Sequence, residues 1–341
     1  MALPDVAYVN SVREQLLAGR ARLDDVLASG EKRNFDHLLN QVDQALQRIE
    51  HGTFGICEEC HTDIGEEWLR EDPLTTVCLE HMTPKQQRML EYDLELAAQI
   101  QKGLLPPADF AMPGWQVGYH YAAASAVSGD YCDLIQGNDG EMYFVMADVS
   151  GKGVAAAMLS SNLRAIFRSL VPMGLSSAEL MNRANRIFRQ SALPSQYATL
   201  VFGKATPGGE VEMVNAGHLP ALLACNPEMK LMESTHAPLG MFDDQEFTAT
   251  HAALHGGDML VLYTDGICEA ENDSGDEYGL ERLRSVVEAQ RLECPATLVG
   301  ACKDHLAKFR GRRERLDDET ILAIQYAPTA LSADGSGISI A

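Results

Sequence analysis

The sequence predicts an α+β sandwich, preceded by a helical hairpin and a small module with too little core to fold alone. Three observations carry this reading. Residues 114–326 alternate strand-like runs with helical stretches, and Gly and Asn turns separate the strands as in hairpins, unlike the crossovers of a βαβ array. Residues 5–50 repeat apolar side chains at helical spacing. Residues 52–82, between the two, are rich in cysteine and histidine and are broken by Gly52, Gly55, Gly65 and Pro73.

The elements follow in chain order. Val12, Leu16, Leu17 and Ala21, then Leu38, Leu39, Val42, Ala45, Leu46 and Ile49, predict a helical hairpin or short coiled coil over 1–50, with LASGEKRN as its turn. The cysteine module occupies 51–83. A further helical pattern runs from Thr83 to Leu105 through Leu90, Leu94, Leu96, Ala97, Ile100 and Leu104, and Pro106 and Pro107 end it, so 84–107 is a linker helix. WQVGYHY, MYFVMADVS, ATLVFGKA, EVEMVNAG, DMLVLYTDG and TILAIQY supply strands of a domain over 108–327. Residues 328–341 are small and polar and read as a disordered tail.

A chain of 341 residues is enough for roughly two domains, and 46% hydrophobic with 22% charged residues is a soluble globular composition. The net charge of -22 argues against a general nucleic-acid binder while leaving room for a local basic patch. MALPDVAYVN lacks a basic stretch followed by an apolar one, and no apolar run is long enough to cross a bilayer. Five of the eight cysteines are scattered and read as reduced thiols, so a cytoplasmic location and no membrane partner are expected.

The other three cysteines form a pattern. Cys57-x2-Cys60 and Cys78-x2-His81 are two knuckles seventeen residues apart, the spacing of a structural zinc site. Thiolate and imidazole ligands suit one tetrahedral Zn2+ ion, which would supply much of the module's stability. His61, next to Cys60, is a competing ligand outside the second knuckle. The stretch ALQRIEHGTFGICEECHTDIGEEWLREDPLTTVCLEH resembles the DksA/TraR family of zinc fingers, with His81 where a fourth cysteine is usual. That resemblance implies a helical arm with an acidic tip that enters RNA polymerase. Here each arm has about 20 residues, roughly 30 Å, and the tip GEKR is not clearly acidic. The module is therefore read as an interaction or sensory element, with RNA polymerase contact left open.

Asp130, Asp148, Asp265 and the pair Asp317-Asp318 each stand where a strand meets a turn. Any one of them could simply cap its turn. Several in one domain can converge at one rim, where carboxylates repel unless cations lie between them, and all-oxygen ligands select magnesium, manganese or calcium. The turn SGKG after Asp148 invites a nucleotide reading, but its grammar fails. Ala147 stands where a P-loop needs its first glycine, and Gly153 where it needs Ser or Thr. The dinucleotide fingerprint has only Ala156 at its third position.

LELAAQIQKGLLPP, VSGDYCDLI, ADVSGKGVAAAML, NAGHLPALL, APLGMF, LVLYTDGICEAEN, YGLERL and DDETILAIQY occur in this order over about 91–327. Together they resemble the SpoIIE/RsbU branch of the PPM (type 2C) metal-dependent serine/threonine phosphatases. Ser128 stands where that branch usually has the first of two glycines and, as another small residue, is expected to change little. The resemblance implies an α-β-β-α sandwich holding two Mn2+ or Mg2+ ions. Asp130 and Asp148 would hold one ion, with Asp148 bridging to the other, and the Val149 carbonyl, Asp265 and Asp317 would help hold the second, Asp318 being an alternative to Asp317.

On that reading Asp130 and Asp148 are the catalytic carboxylates of a two-metal hydrolysis, in which an activated water attacks phosphorus. Ser150 occupies the place of a histidine found in eukaryotic relatives. A metal-bound water is then preferred as proton donor over His218, which reads as a structural turn residue. Gly151 and Gly153 are expected to allow close backbone approach, Lys152 to face solvent, and Cys132 and Cys268 to pack. The implied substrate is a phosphoprotein such as a STAS-type anti-sigma-factor antagonist, and the implied assembly is a homodimer through the linker helix. The alternative is a zinc-finger transcription modulator using a non-catalytic phosphatase-like domain for binding, against which the full set of aspartates argues.

Overall fold

The computed structural model describes residues 6–28, 35–81, 84–107, 110–137, 139–193, 195–225 and 228–328. The hairpin tip GEKR, and the tail apart from Pro328, lie outside the described residues. The chain divides into two compact units, Met1–Glu95 and Leu96–Ala341. No described helix is long and apolar enough to cross a membrane.

In the first unit α1 (Val6–Ala28) and α2 (Phe35–Glu50) pair as the expected hairpin, followed by a short α3 (Glu66–Glu71). Val12, Leu16, Val42 and Ala45 of the helices share one apolar cluster with Phe54, Cys57, Ile64, Leu69 and Cys78. Hairpin and cysteine module therefore have a single core. The helix α4 (Pro84–Leu104) begins in this unit and ends in the next, stopped where Pro106 and Pro107 remove the needed N–H donors.

The second unit holds two five-stranded antiparallel sheets. One has the order β1 (Trp115–Ala122), β10 (Glu319–Tyr326), β9 (Met259–Tyr263), β6 (Ala221–Ala224), β7 (Met229–Met232). The other runs β2 (Tyr131–Gln136), β3 (Met142–Val149), β4 (Ala198–Ala205), β5 (Glu210–Ala216), β8 (Thr250–Ala253). Three apolar clusters define four layers. Phe144, Met146, Leu260, Leu262, Leu322 and Ile324 fill the space between the sheets. Val145 and Ala147 pack under α5 (Gly153–Leu170) and α6 (Ser177–Ser191) on one outer face. Ile321 and Ala323 pack under α8 (Gly279–Ala289) and α9 (Pro295–Arg310) on the other, beside the single-turn α7 (Asp265–Cys268). The expected α-β-β-α sandwich is the fold. β3 and β10 read as near-continuous apolar runs because both of their faces are covered.

Candidate metal centre and active site

Period-two alternation builds the site. On β3, Phe144 and Met146 face the inter-sheet core, so Asp148, next on that side, turns into the gap where the sheets meet. Cys132 and Leu134 put Asp130 on the same side just ahead of β2. Leu260 and Leu262 do so for Thr264, and Leu322 and Ile324 for Thr320. The β2–β3 ladder ends at Tyr131↔Ala147, and one further step sets Asp130 opposite Asp148.

Asp130 is buried, and its Oδ2 accepts the hydroxyls of Thr264 (2.9 Å) and Thr320. Burial pushes its carboxyl well above the usual range; the Thr320 hydroxyl opposes this, while nearby Asp148 and Asp318 add to it. For Asp148, burial and then the charges of Asp265, Asp317 and Asp318 raise the pKa to about 7 against the pull of Lys152. Asp265, the first residue of α7, is raised by burial and by Asp317. Three carboxylates whose ionisation burial and neighbouring acids discourage are a donor set for hard divalent cations, whose charge would reverse that repulsion.

Adjacent acids at 317 and 318 have different tasks. Asp318 Oδ1 accepts the Ala124 N–H and Oδ2 the Gly129 N–H, both at 2.8 Å, so this carboxylate is spent on holding the loop before β2. Asp317 instead meets the Lys152 ammonium at 2.9 Å. Lys152 also donates to the Leu316 carbonyl at 2.8 Å, so its charged end turns back onto the acidic rim although the side chain is largely exposed. Gly151 and Gly153 adopt φ 100° and 74°, which serves the turn's backbone conformation, and a Cβ on Gly151 would meet nothing within 4 Å, so no close approach is made there. Close approach belongs to Gly129, where a Cβ would lie 3.1 Å from the Val149 carbonyl oxygen and 3.8 Å from Asp148 Oδ1.

Gly266 is tighter still. A Cβ there would fall 2.0 Å from the Asp318 carbonyl oxygen, which is main chain and cannot swing away. Gly266→Ala is expected to cost about 3 kcal/mol or more by overpacking and to displace Asp317. Thermal denaturation together with Mn2+ titration checks this, and an unchanged melting temperature would contradict it.

His218 is structural, as its turn position suggested. Its Nε2–H donates to the Tyr263 carbonyl (3.1 Å) and its Nδ1 accepts the Thr199 hydroxyl (2.7 Å). Burial lowers its pKa to about 4, which keeps it neutral. Burial likewise pushes the Cys132 and Cys268 thiols up, Cys268 to about 12, as suits packing residues. Thr264 and Thr320 were not singled out in the sequence. The signal was there for the threonines, which continue the inner-facing alternation of β9 and β10.

In the first unit the ligand atoms of Cys57, Cys60, Cys78 and His81 all lie within 4.8 Å of one another. His61 is not among them; it takes a left-handed φ of 58° to close the first knuckle, donating its N–H to the Cys57 carbonyl. Cys60 Sγ is 3.7 Å from Cys78 Sγ, which is 3.1 Å from His81 Nδ1. Three sulfurs and one imidazole nitrogen gathered this closely fit a tetrahedral zinc ion.

The family model described as Stage II sporulation protein E (SpoIIE) matches residues 138–327. The chain belongs to the SpoIIE family. Among curated relatives, phosphoserine phosphatase RsbP of Bacillus subtilis is 30% identical over 52% of this chain and 45% of its own length. Phosphoserine phosphatase RsbU of the same organism is 25% identical over 72% of this chain and 74% of its own. This SpoIIE-family chain thus spans less than half of RsbP. Its sandwich resembles the SiaA-PP2C domain of Pseudomonas aeruginosa, with TM-score 0.63 and 17% identity over 70% of this chain and 97% of that one.

Proposed function

We propose that the chain is a metal-dependent protein serine/threonine phosphatase that hydrolyses phosphoserine or phosphothreonine on a signalling protein. The observation that carries this is that Asp130, Asp148, Asp265 and Asp317 stand at neighbouring strand ends of the two sheets, while both oxygens of Asp318 accept main-chain N–H groups. Those four, with the Val149 carbonyl, would hold two Mn2+ or Mg2+ ions. The ions, when bound, acidify water for attack on phosphorus and offset phosphoryl charge. The chain's own part is orientation. Thr264 and Thr320 fix Asp130, Asp318 fixes the loop carrying it, and Gly129 lets that loop lie against Val149. The names of RsbP and RsbU support a phosphoserine substrate, and a STAS-type anti-sigma-factor antagonist is the class we favour.

The cysteine module is read as a DksA/TraR-like zinc finger with one structural Zn2+. Met89, Tyr92, Leu96 and Ile100 are exposed on α4 at spacings of three and four, as on a coiled-coil seam, which supports a homodimer through that helix. A cytoplasmic location accords with these roles.

Turnover of a phosphoserine peptide and of p-nitrophenyl phosphate by the full chain is expected with Mn2+, lost in excess EDTA and restored by added Mn2+. Phosphopeptide binding without turnover at any Mn2+ or Mg2+ concentration would favour the non-catalytic reading instead.

A further inference from the structure

Two polar residues the catalytic reading leaves unused are buried together beside Asp130. Gln101, in the last turn of α4, is 9% exposed, and Ser128 is fully buried. Gln101 Nε2 donates to the Ser128 carbonyl at 2.7 Å, and the Ser128 N–H donates to Gln101 Oε1 at 2.9 Å. The Ser128 hydroxyl oxygen in turn accepts the Asp130 N–H at 3.0 Å. The loop therefore lacks a strand ladder here and takes its main-chain partners from side chains: Gln101 at 128, Asp318 at 129, Ser128 at 130. Buried main-chain groups deprived of such partners are costly, so the loop would shift to find others.

We propose that Gln101 and Ser128 are positioning residues that set the affinity of the Asp130 carboxylate for its divalent ion, so that α4 contributes to metal binding without touching the metal. The proposal rests on the reading of Asp130 as a ligand. Asp130 Oδ2 is taken by two threonine hydroxyls, which leaves Oδ1 as its free donor among the described residues. A ligand with one free oxygen tolerates little movement of its main chain. That main chain is tied through Ser128 to a helix in which one residue is 100° of rotation, so the tie holds only in one setting of α4. Ser128 is also more than a substitute for glycine, since glycine would offer no acceptor to the Asp130 N–H.

The test is Mn2+ binding by titration calorimetry, with the Mn2+ dependence of p-nitrophenyl phosphate hydrolysis, in the full chain. Gln101→Ala and Ser128→Gly are expected to weaken binding at one ion and raise the half-activating Mn2+ concentration tenfold to a hundredfold. KM for the substrate should hardly move, and rate should return at saturating Mn2+. In metal-free protein, amide exchange at residues 128–130 should quicken in Gln101→Ala. A merely structural role would lower the melting temperature and leave the Mn2+ dependence in place, and that outcome overturns the proposal. Ser128→Ala, which deletes one oxygen, keeps the test decisive should Gln101→Ala not fold. Asp130→Asn separates the two layers of argument. If it binds Mn2+ like the unaltered chain, the ligand reading fails and the proposal with it; if only Asp130→Asn weakens binding, the positioning role alone fails.

Discussion

Asp148→Asn is expected to abolish turnover and, in metal-free protein at pH 8, to raise the melting temperature. The first effect follows from the proposal that Asp148 is a ligand shared by the two ions. A drop on the order of 10³ or more corresponds to about 4 kcal/mol of transition-state stabilisation. The second follows from the same crowding that makes the site. Asp148 has its pKa raised to about 7, first by burial and then by Asp265, Asp317 and Asp318. The folded state therefore holds a proton that the unfolded state releases near pH 4, and stability of the metal-free protein falls as pH rises from about 4 through about 7. Asparagine carries no charge to repel, so the variant keeps what the wild type loses. Allowing for partial solvent screening, the gain at pH 8 is on the order of 2 kcal/mol, or roughly 4–8 °C for a domain of this size. Scanning calorimetry in chelator at pH 5 and pH 8 reads this directly. Added Mn2+ should stabilise the wild type by mass action and leave the variant unmoved. A variant less stable than wild type at pH 8 in chelator would show that Asp148 is not under electrostatic strain.

The sequence disclosed the sandwich wherever a strand was long enough to show its period. β1, β3, β4, β5, β9 and β10 run five to eight residues and were legible. β6, β7 and β8 have four residues each, too few for a pattern, and exist because a neighbouring strand offers a ladder. β2 was hidden by Asp133, a buried charge in mid-strand whose partner is the Arg168 fork from α5 at 2.7 and 2.8 Å. The candidate site followed the same rule. Aspartates at strand ends could be found by position, but two adjacent acids could not be told apart locally. The amides that engage Asp318 belong to Ala124 and Gly129, 194 and 189 residues away in sequence. Gln101 looked like any polar residue of a helix, since its partner belongs to a loop that has no periodic signal.

Removing the proposed zinc is expected to unfold the whole first unit, beyond the knuckles themselves. The module has little regular structure of its own: a six-residue helix, one short 3-10 turn and an isolated bridge between Ile56 and Asp63. Cys57 and Cys78 lie in the same apolar cluster as Val12, Leu16, Val42 and Ala45 of the hairpin, so the ligands are also core residues. Loss of the ion would remove the tie that gathers Cys57, Cys60, Cys78 and His81 and would open that cluster from beneath. Structural zinc contributes about 10–16 kcal/mol in isolated fingers, more than a hairpin with so small a core can replace. Cys57→Ser should therefore reduce bound zinc from one per chain to none by mass spectrometry and make residues 52–81 sensitive to trypsin. The half-exposed Trp68 of this unit should change its emission while the buried Trp115 of the sandwich keeps its own. His81→Ala should act more mildly, because His81 is exposed and leaves three sulfur ligands in place. Undiminished zinc in Cys57→Ser, or a hairpin that keeps its helicity after the metal is stripped, would show that the cysteines are ordinary buried thiols and that the core stands without an ion.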